Sequence, residues 1–306
     1  GQRVLQDYQP VEGSLRIGPE PERAIPMVDK GYTLILPGAP ARGLIVQLDG
    51  WPTTWGPDDP GPGSLADAAL RHYVGMLHIT TGNRLDFFFD DDTMADVARR
   101  IERLLTDHDL GDVPVYFAGL SLGGTRALKL AVYLTQYPSA YWLHPRAVAV
   151  VDAPLDMVRM WHAEQRAAHI DYHAAAADEG RWVSYLLETN LGGAPDDAHD
   201  QYVAYSPYSH GAPEGGNARY LVDLPIRAYH EPDVDWWIEH RRKSYYEMNS
   251  LDLAGLITEL KVQGNDEATL ITTHHQRDGF DEASSPHTWS IVDNEELMSW
   301  FLQYAP

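Results

Sequence analysis

The chain has 306 residues, 44% hydrophobic and 22% charged, with a formal net charge of −22. That balance is ordinary for a globular chain and argues against disorder, and the length fits one large domain with room for an inserted piece. Cysteine is absent, which excludes disulfides, thiolate catalysis and cysteine-held metal, and the acidic surface repels nucleic acid and anionic membranes.

Substrates are therefore expected to be neutral or cationic, or to bind in a pocket screened from the overall field. Only four of the 23 basic residues are lysine, a bias that fits salt adaptation or genome composition. No apolar run reaches the roughly 18 residues a membrane helix needs. The chain starts at Gly1 rather than methionine, as after removal of a signal peptide or a tag. No signal peptide is visible, and export to periplasm or medium is expected over the cytoplasm.

Short apolar runs rich in β-branched and aromatic residues predict strands at Tyr32–Leu36, Leu44–Leu48, Val74–Thr80, Val115–Ala118, Ala147–Val151, Ile226–Tyr229 and Ala268–Thr273. The first two are expected to form a hairpin around Pro37–Arg42. The later runs alternate with helix-length stretches, the pattern of a parallel sheet with crossover helices. The best helix spans about Asp92–Thr106, with Met94, Val97, Ile101 and Leu104–Leu105 on one face and Asp91–Asp92 at its positive end. Another follows Ser121 to Tyr133, and a last one covers Asn294–Tyr304. Residues 154–224 lack a clear strand and are too long for a simple connection. A mainly helical insertion, a lid, is expected there within a single domain of residues 1–306.

The strongest motif is G-x-S-x-G at Gly119, Ser121 and Gly123. An apolar strand ends at it and an alanine- and leucine-rich helix begins at it. Such a strand–turn–helix setting lifts the serine hydroxyl above the sheet, while the two glycines let strand and helix approach. The helix N-terminus adds positive potential where an oxyanion would form.

This segment resembles the nucleophile elbow of the α/β-hydrolase superfamily, and the likeness extends from about Tyr32 to the C-terminus. With Phe87–Asp92 ahead of the elbow, it is similar to bacterial esterase-like members. The resemblance implies a mostly parallel sheet flanked by helices, the lid preceding the acid-bearing strand, and a serine carboxylesterase-type hydrolase acting on a small ester. It implies Ser121 as nucleophile, no cofactor and no metal. His162, His169 and His173 share helical spacing, but no carboxylate or fourth ligand completes a zinc site.

A serine needs a base, and in the superfamily the acid and then the histidine follow it in the chain. His287, in the polar loop before the last helix, fits the base better than His274 or His275 at a strand end. Asp233, past the strand at 226–229, is the expected acid, with Asp235 next; Asp156, and behind it Asp152, would serve if the acid follows the preceding strand. The oxyanion hole is expected from the Leu122 amide and, after Asp49-Gly50, the Trp51 amide; Pro52 has no N–H. Asp49 stands where many relatives carry histidine.

Tryptophans 51, 55, 236, 237 and 289 flank these positions in sequence, and Trp161 and Trp182 lie in the insertion. They are expected either to line an aromatic cleft or to fill core. Two alternatives stand beside the esterase. Tyr205-Ser206-Pro207-Tyr208 resembles a stretch of prolyl-oligopeptidase-like enzymes, implying a peptidase or amidase. The other is a non-catalytic binding module on the same fold.

Overall fold

Val74–Thr80 is buried at every position, as a strand covered on both faces must be. It lies inside an eight-stranded, mostly parallel sheet in a computed structural model that describes residues 2–277 and 284–306. In chain order, β1 (Arg3–Gln9) is followed by a small hairpin of β2 (Ser14–Arg16) and β3 (Ala24–Pro26). Then come β4 (Lys30–Leu36), β5 (Gly43–Leu48), helix α1 (Leu65–Arg71) and β6 (Val74–Thr80). Next are α2 (Asp91–Asp107), β7 (Val115–Leu120), α3 (Leu122–Gln136) and β8 (Pro145–Val151). Helices α4 (Met157–Ile170), α5 (Ala174–Leu191) and α6 (Pro195–Tyr205) precede β9 (Ile226–His230). The chain closes with α7 (Val234–Arg241), α8 (Asn249–Val262), β10 (Ala268–Thr272) and α9 (Asn294–Leu302).

The strand order is β1-β4-β6-β5-β7-β8-β9-β10. The expected hairpin of the first two sequence-predicted strands does not form. β6 lies between β4 and β5, antiparallel to the first and parallel to the second. Both predicted strands are almost wholly buried, so each gains more from pairing with the apolar β6 than from a local turn. The sheet also begins earlier than expected: Arg3–Gln9 pairs antiparallel with β4. Its burial is only partial, as at a sheet edge, and this weakens the sequence signal.

Strand side chains alternate between two core layers. Leu34, Val46, Leu77, Phe117 and Val148 face one layer, covered by α2, α3 and α8. Ile35, Ile45, Met76, Tyr116 and Ala147 face the other, covered by α1 and α9. A third apolar cluster lies outside the sheet. Met157 and Met160 of α4 and Val183, Leu186 and Leu187 of α5 meet Phe87, with Leu122 packed against them.

The segment between β8 and β9 is therefore helical, as expected. It is anchored by a buried ion pair: the Arg159 guanidinium donates to both oxygens of Asp252, each at 2.8 Å. Asp252 is fully buried and also accepts the amides of Leu155 and Asp156. Burial favours the neutral acid, but Arg159 and these donors hold the carboxyl below its ordinary pKa. Arg159→Met leaves that charge buried without its cation, at a cost of about 3–5 kcal/mol. Urea unfolding of the variant against the parent is expected to show a loss of this size; equal midpoints would contradict it.

Candidate active site

The site is assembled at the carboxyl ends of β5, β7 and β8, where the sheet order reverses and an open α/β fold leaves its crevice. β7 and β8 run parallel with Leu120 beside Val151. One residue further on, Ser121 and Asp152 emerge from adjacent strands. The Ser121 amide donates to the Val151 carbonyl at 2.9 Å, and the Asp152 amide to Tyr229 at 2.9 Å.

Ser121 has φ 56° and ψ −128°, a region that costs a side-chain-bearing residue about 1–3 kcal/mol. Its neighbours over-determine this conformation. The Ser121 carbonyl accepts from the amides of Gly124 and Thr125, and Thr125 Oγ1 donates to the Pro154 carbonyl at 2.6 Å. A Cβ on Gly119 would lie 2.3 Å from the Gly123 carbonyl, so only glycine permits this crossing of strand and helix. The serine hydroxyl makes no helix-capping bond, which leaves it available for another partner.

His287 Nδ1 is in a short hydrogen bond with Asp152 Oδ2. The Asp152 side chain is nearly buried, whereas a third of the imidazole is exposed. Loss of solvent pulls the imidazole pKa down, but the charge and hydrogen bond of Asp152 outweigh it and raise the pKa above its ordinary value. Asp152 itself has φ 42°. Its carbonyl accepts from Asn249 Nδ2 at 3.0 Å, and Asn249 Oδ1 accepts from Arg159 at 2.9 Å. The ion pair that anchors α4 thus also braces the backbone of Asp152, next to Val151 at the end of β8.

The expected acid, Asp233, is not paired with His287. It caps α7, accepting the Trp236 amide at 3.1 Å, and its other oxygen accepts from Arg277 at 3.1 Å. Burial opposes ionisation there, but the Trp236 amide and Arg277 hold the carboxyl below its usual range. Arg277 also pairs with buried Glu231, and its Nε donates to Ser284 Oγ at 3.1 Å. Asp235 is exposed on the first turn of α7. Asp156 caps α4 and accepts the His210 amide at 2.8 Å. His275 lies 3.5 Å from Asp233. Of the four aspartates weighed from sequence, the one ranked last is the one paired with His287, so the helical segment follows that carboxylate instead of preceding it. The available signal was the position of Asp152 directly after β8, one strand from the elbow.

Leu122 is the first residue of α3, and its amide has no carbonyl within the helix to bond. Trp51 lies in the loop after β5, three residues past the strand. Asp49 anchors this loop: its Oδ2 meets Thr53 Oγ1 at 2.9 Å and His78 Nδ1 at 2.7 Å. Buried Arg126, on α3, donates to the carbonyls of Leu48 and Arg84 at 3.1 and 3.3 Å. Elbow helix and loop are thereby held to one another.

The tryptophans divide. Trp55 and Trp289 pack into the layer under α1 and α9, and Trp236 is buried. Trp161 and Trp182 join the cluster over Leu122, whereas Trp51 is 58% exposed. Among the described residues no group of three or more His, Asp or Glu could hold a metal ion, and no helix is long and apolar enough to cross a membrane.

No protein-family model matches the chain, and no curated protein matches it. Solved structures do. Carboxyl esterase 2 of the fungus Tuber melanosporum is 15% identical, over 99% of this chain and 87% of the esterase, with a TM-score of 0.55. The uncomplexed acylaminoacyl peptidase of Pyrococcus horikoshii is 12% identical, over 99% of this chain and 42% of the peptidase, with a TM-score of 0.56. This chain thus spans about two fifths of that peptidase's length. Candida antarctica lipase A in its closed state is 12% identical, over 100% of this chain and 78% of the lipase, with a TM-score of 0.51. At such identities the likeness is one of architecture: the chain has the α/β-hydrolase fold.

Proposed function

We propose that the protein is a serine hydrolase that cleaves carboxylic esters through an acyl-enzyme on Ser121. The observation that carries this reading is the His287–Asp152 hydrogen bond, at strand ends that also hold Ser121 in a strained elbow. In the proposed reaction, Ser121 Oγ attacks the ester carbonyl carbon while His287 Nε2 takes its proton. The negative charge moves to the carbonyl oxygen, facing the amides of Leu122 and Trp51. Collapse of this intermediate breaks the bond to the alcohol, which leaves with the proton from His287. Water then repeats the sequence on the acyl-enzyme and frees the acid. Asp152, in place of Asp233, orients the imidazole and balances its transient charge.

Ser121→Ala is expected to abolish p-nitrophenyl ester hydrolysis, a loss on the order of 10⁶ in kcat, with an unchanged circular dichroism spectrum. A fluorophosphonate should label the parent and not the variant. Retained turnover would remove Ser121 from the chemistry. Matching p-nitroanilides should react far more slowly than the esters; parity would move the reading to a peptidase.

The imidazole must be neutral to accept the serine proton. Activity is therefore expected to rise with pH through the raised His287 pKa, above the ordinary value of 6.5. Asp152→Asn removes the charge that raises it. The midpoint of kcat/KM against pH should move to lower pH, with a loss on the order of 10⁴ in kcat. Asp233→Asn, Asp235→Asn and Asp156→Asn should leave that midpoint in place; a shift in any of them, with none in Asp152→Asn, would reassign the acid.

The helical segment 154–224 is proposed to act as a lid that selects substrate. Its support is the packing of Leu122 into the α4–α5 cluster with Trp161. Trp161→Ala is expected to change relative rates across acyl-chain lengths more than the rate on p-nitrophenyl acetate. A uniform loss on every ester would make the segment structural only.

A further inference from the structure

A cavity of about 440 Å³ opens beside Trp51, between the β2–β3 hairpin and α5. Trp51, Arg84, Leu85 and Trp182 line it, together with Arg23 and Asp178. It adjoins the Ser121 site through two links. Leu85 and Trp182 pack in the same apolar cluster as Leu122, the residue after the serine. The Arg84 carbonyl is held by Arg126 of α3 and lies so close to Gly50 that a Cβ there would come within 2.5 Å of it.

The charges in this cavity are unevenly committed. Arg23 donates to Asp178 at 2.7 Å, and Arg181 stands 4.0 Å from the same carboxylate. Arg84 is different: its guanidinium lies over the Trp51 ring, 5.0 Å from the centroid, and among the described residues no carboxylate pairs with it. Glu22 also lines the cavity. A guanidinium held over an aromatic ring can keep N–H donors directed away from the ring toward a carboxylate. Arg84 thus sets a cation beside the candidate oxyanion loop of a chain whose net charge is −22. The overall field does not forbid an anion there, because salt screens charges beyond about 8 Å at physiological ionic strength.

We propose that this cavity takes the carboxylate-bearing arm of the ester substrate, with Arg84 binding the carboxylate and Trp51 and Trp182 covering the apolar part. The proposal rests on Ser121 as nucleophile and names the class of ester it acts on. Two sources of the carboxylate share this chemistry, the acyl and the alcohol side of the ester. Monoethyl adipate against diethyl adipate tests the acyl side. 4-Acetoxybenzoate against its methyl ester tests the alcohol side.

On one of these pairs the parent enzyme should favour the charged ester in kcat/KM, chiefly through KM. Arg84→Gln should cut that charged-to-neutral ratio about tenfold or more, the scale of a lost charge-assisted hydrogen bond, and Arg84→Lys should cut it less. Adipate or 4-hydroxybenzoate should inhibit neutral-ester hydrolysis competitively, with inhibition weakened in Arg84→Gln. A parent enzyme that prefers neither charged ester overturns the inference, as does a preference that survives in Arg84→Gln. Because the parent preference and the inhibition are read without any variant, misfolding of Arg84→Gln does not shield the proposal. Turnover of neutral esters with fluorophosphonate labelling, but without charge preference, defeats this inference alone. Absence of both turnover and labelling defeats the reading of Ser121 and this inference together.

Discussion

The parallel pairing of β7 with β8 is the constraint on which the candidate site depends. Its register sets Leu120 against Val151, and the chain leaves both strands one residue later. Ser121 and Asp152 are therefore neighbours by sheet geometry before any side chain is considered. Both leave with positive φ, the conformation needed to turn sharply off a strand end. A slip of one residue would send each side chain to the opposite face. Buried valines and alanines on both faces of β8 make such a slip costly.

Polar groups with almost no solvent stabilise this arrangement from outside. Arg159 and Asp252 tie α4 to α8, and Asn249 relays the tie to the Asp152 carbonyl. On the neighbouring strand ends, Arg277 gathers Glu231, Asp233 and Ser284. That second cluster occupies the position where the acid was expected. A carboxylate already bonded to a buried guanidinium and capping a helix is poorly placed to meet an imidazole, which accounts for His287 pairing with Asp152 and not with Asp233.

The elbow and the loop after β5 form a third unit. Arg126 reaches from α3 to the Leu48 and Arg84 carbonyls, while Asp49 collects Thr53 and His78. Asp49 thus has a local structural role: it holds the loop that carries Trp51. The same unit brings Arg84 over Trp51, so one set of contacts shapes both the candidate oxyanion donors and the cavity beside them.

The sequence alone was sufficient for the alternating order of strands and helices, the strand–turn–helix at Ser121, the loop that holds residue 287 and the helical stretch after β8. Each is written in local pattern: apolar periodicity, glycines at a strand–helix turn, or a long span without strands. The hairpin expected at Pro37–Arg42, the edge strand Arg3–Gln9 and the partner of His287 were decided only in three dimensions. A hairpin and a strand inserted between its arms share the same local signals, and an edge strand buries too little to declare itself. For the acid, four aspartates followed strands or capped helices in similar surroundings. Which one meets the imidazole depends on strand order, and on which carboxylates buried arginines have already taken: Asp233 was claimed by Arg277, Asp156 by the amides of α4, and Asp152 was left facing His287.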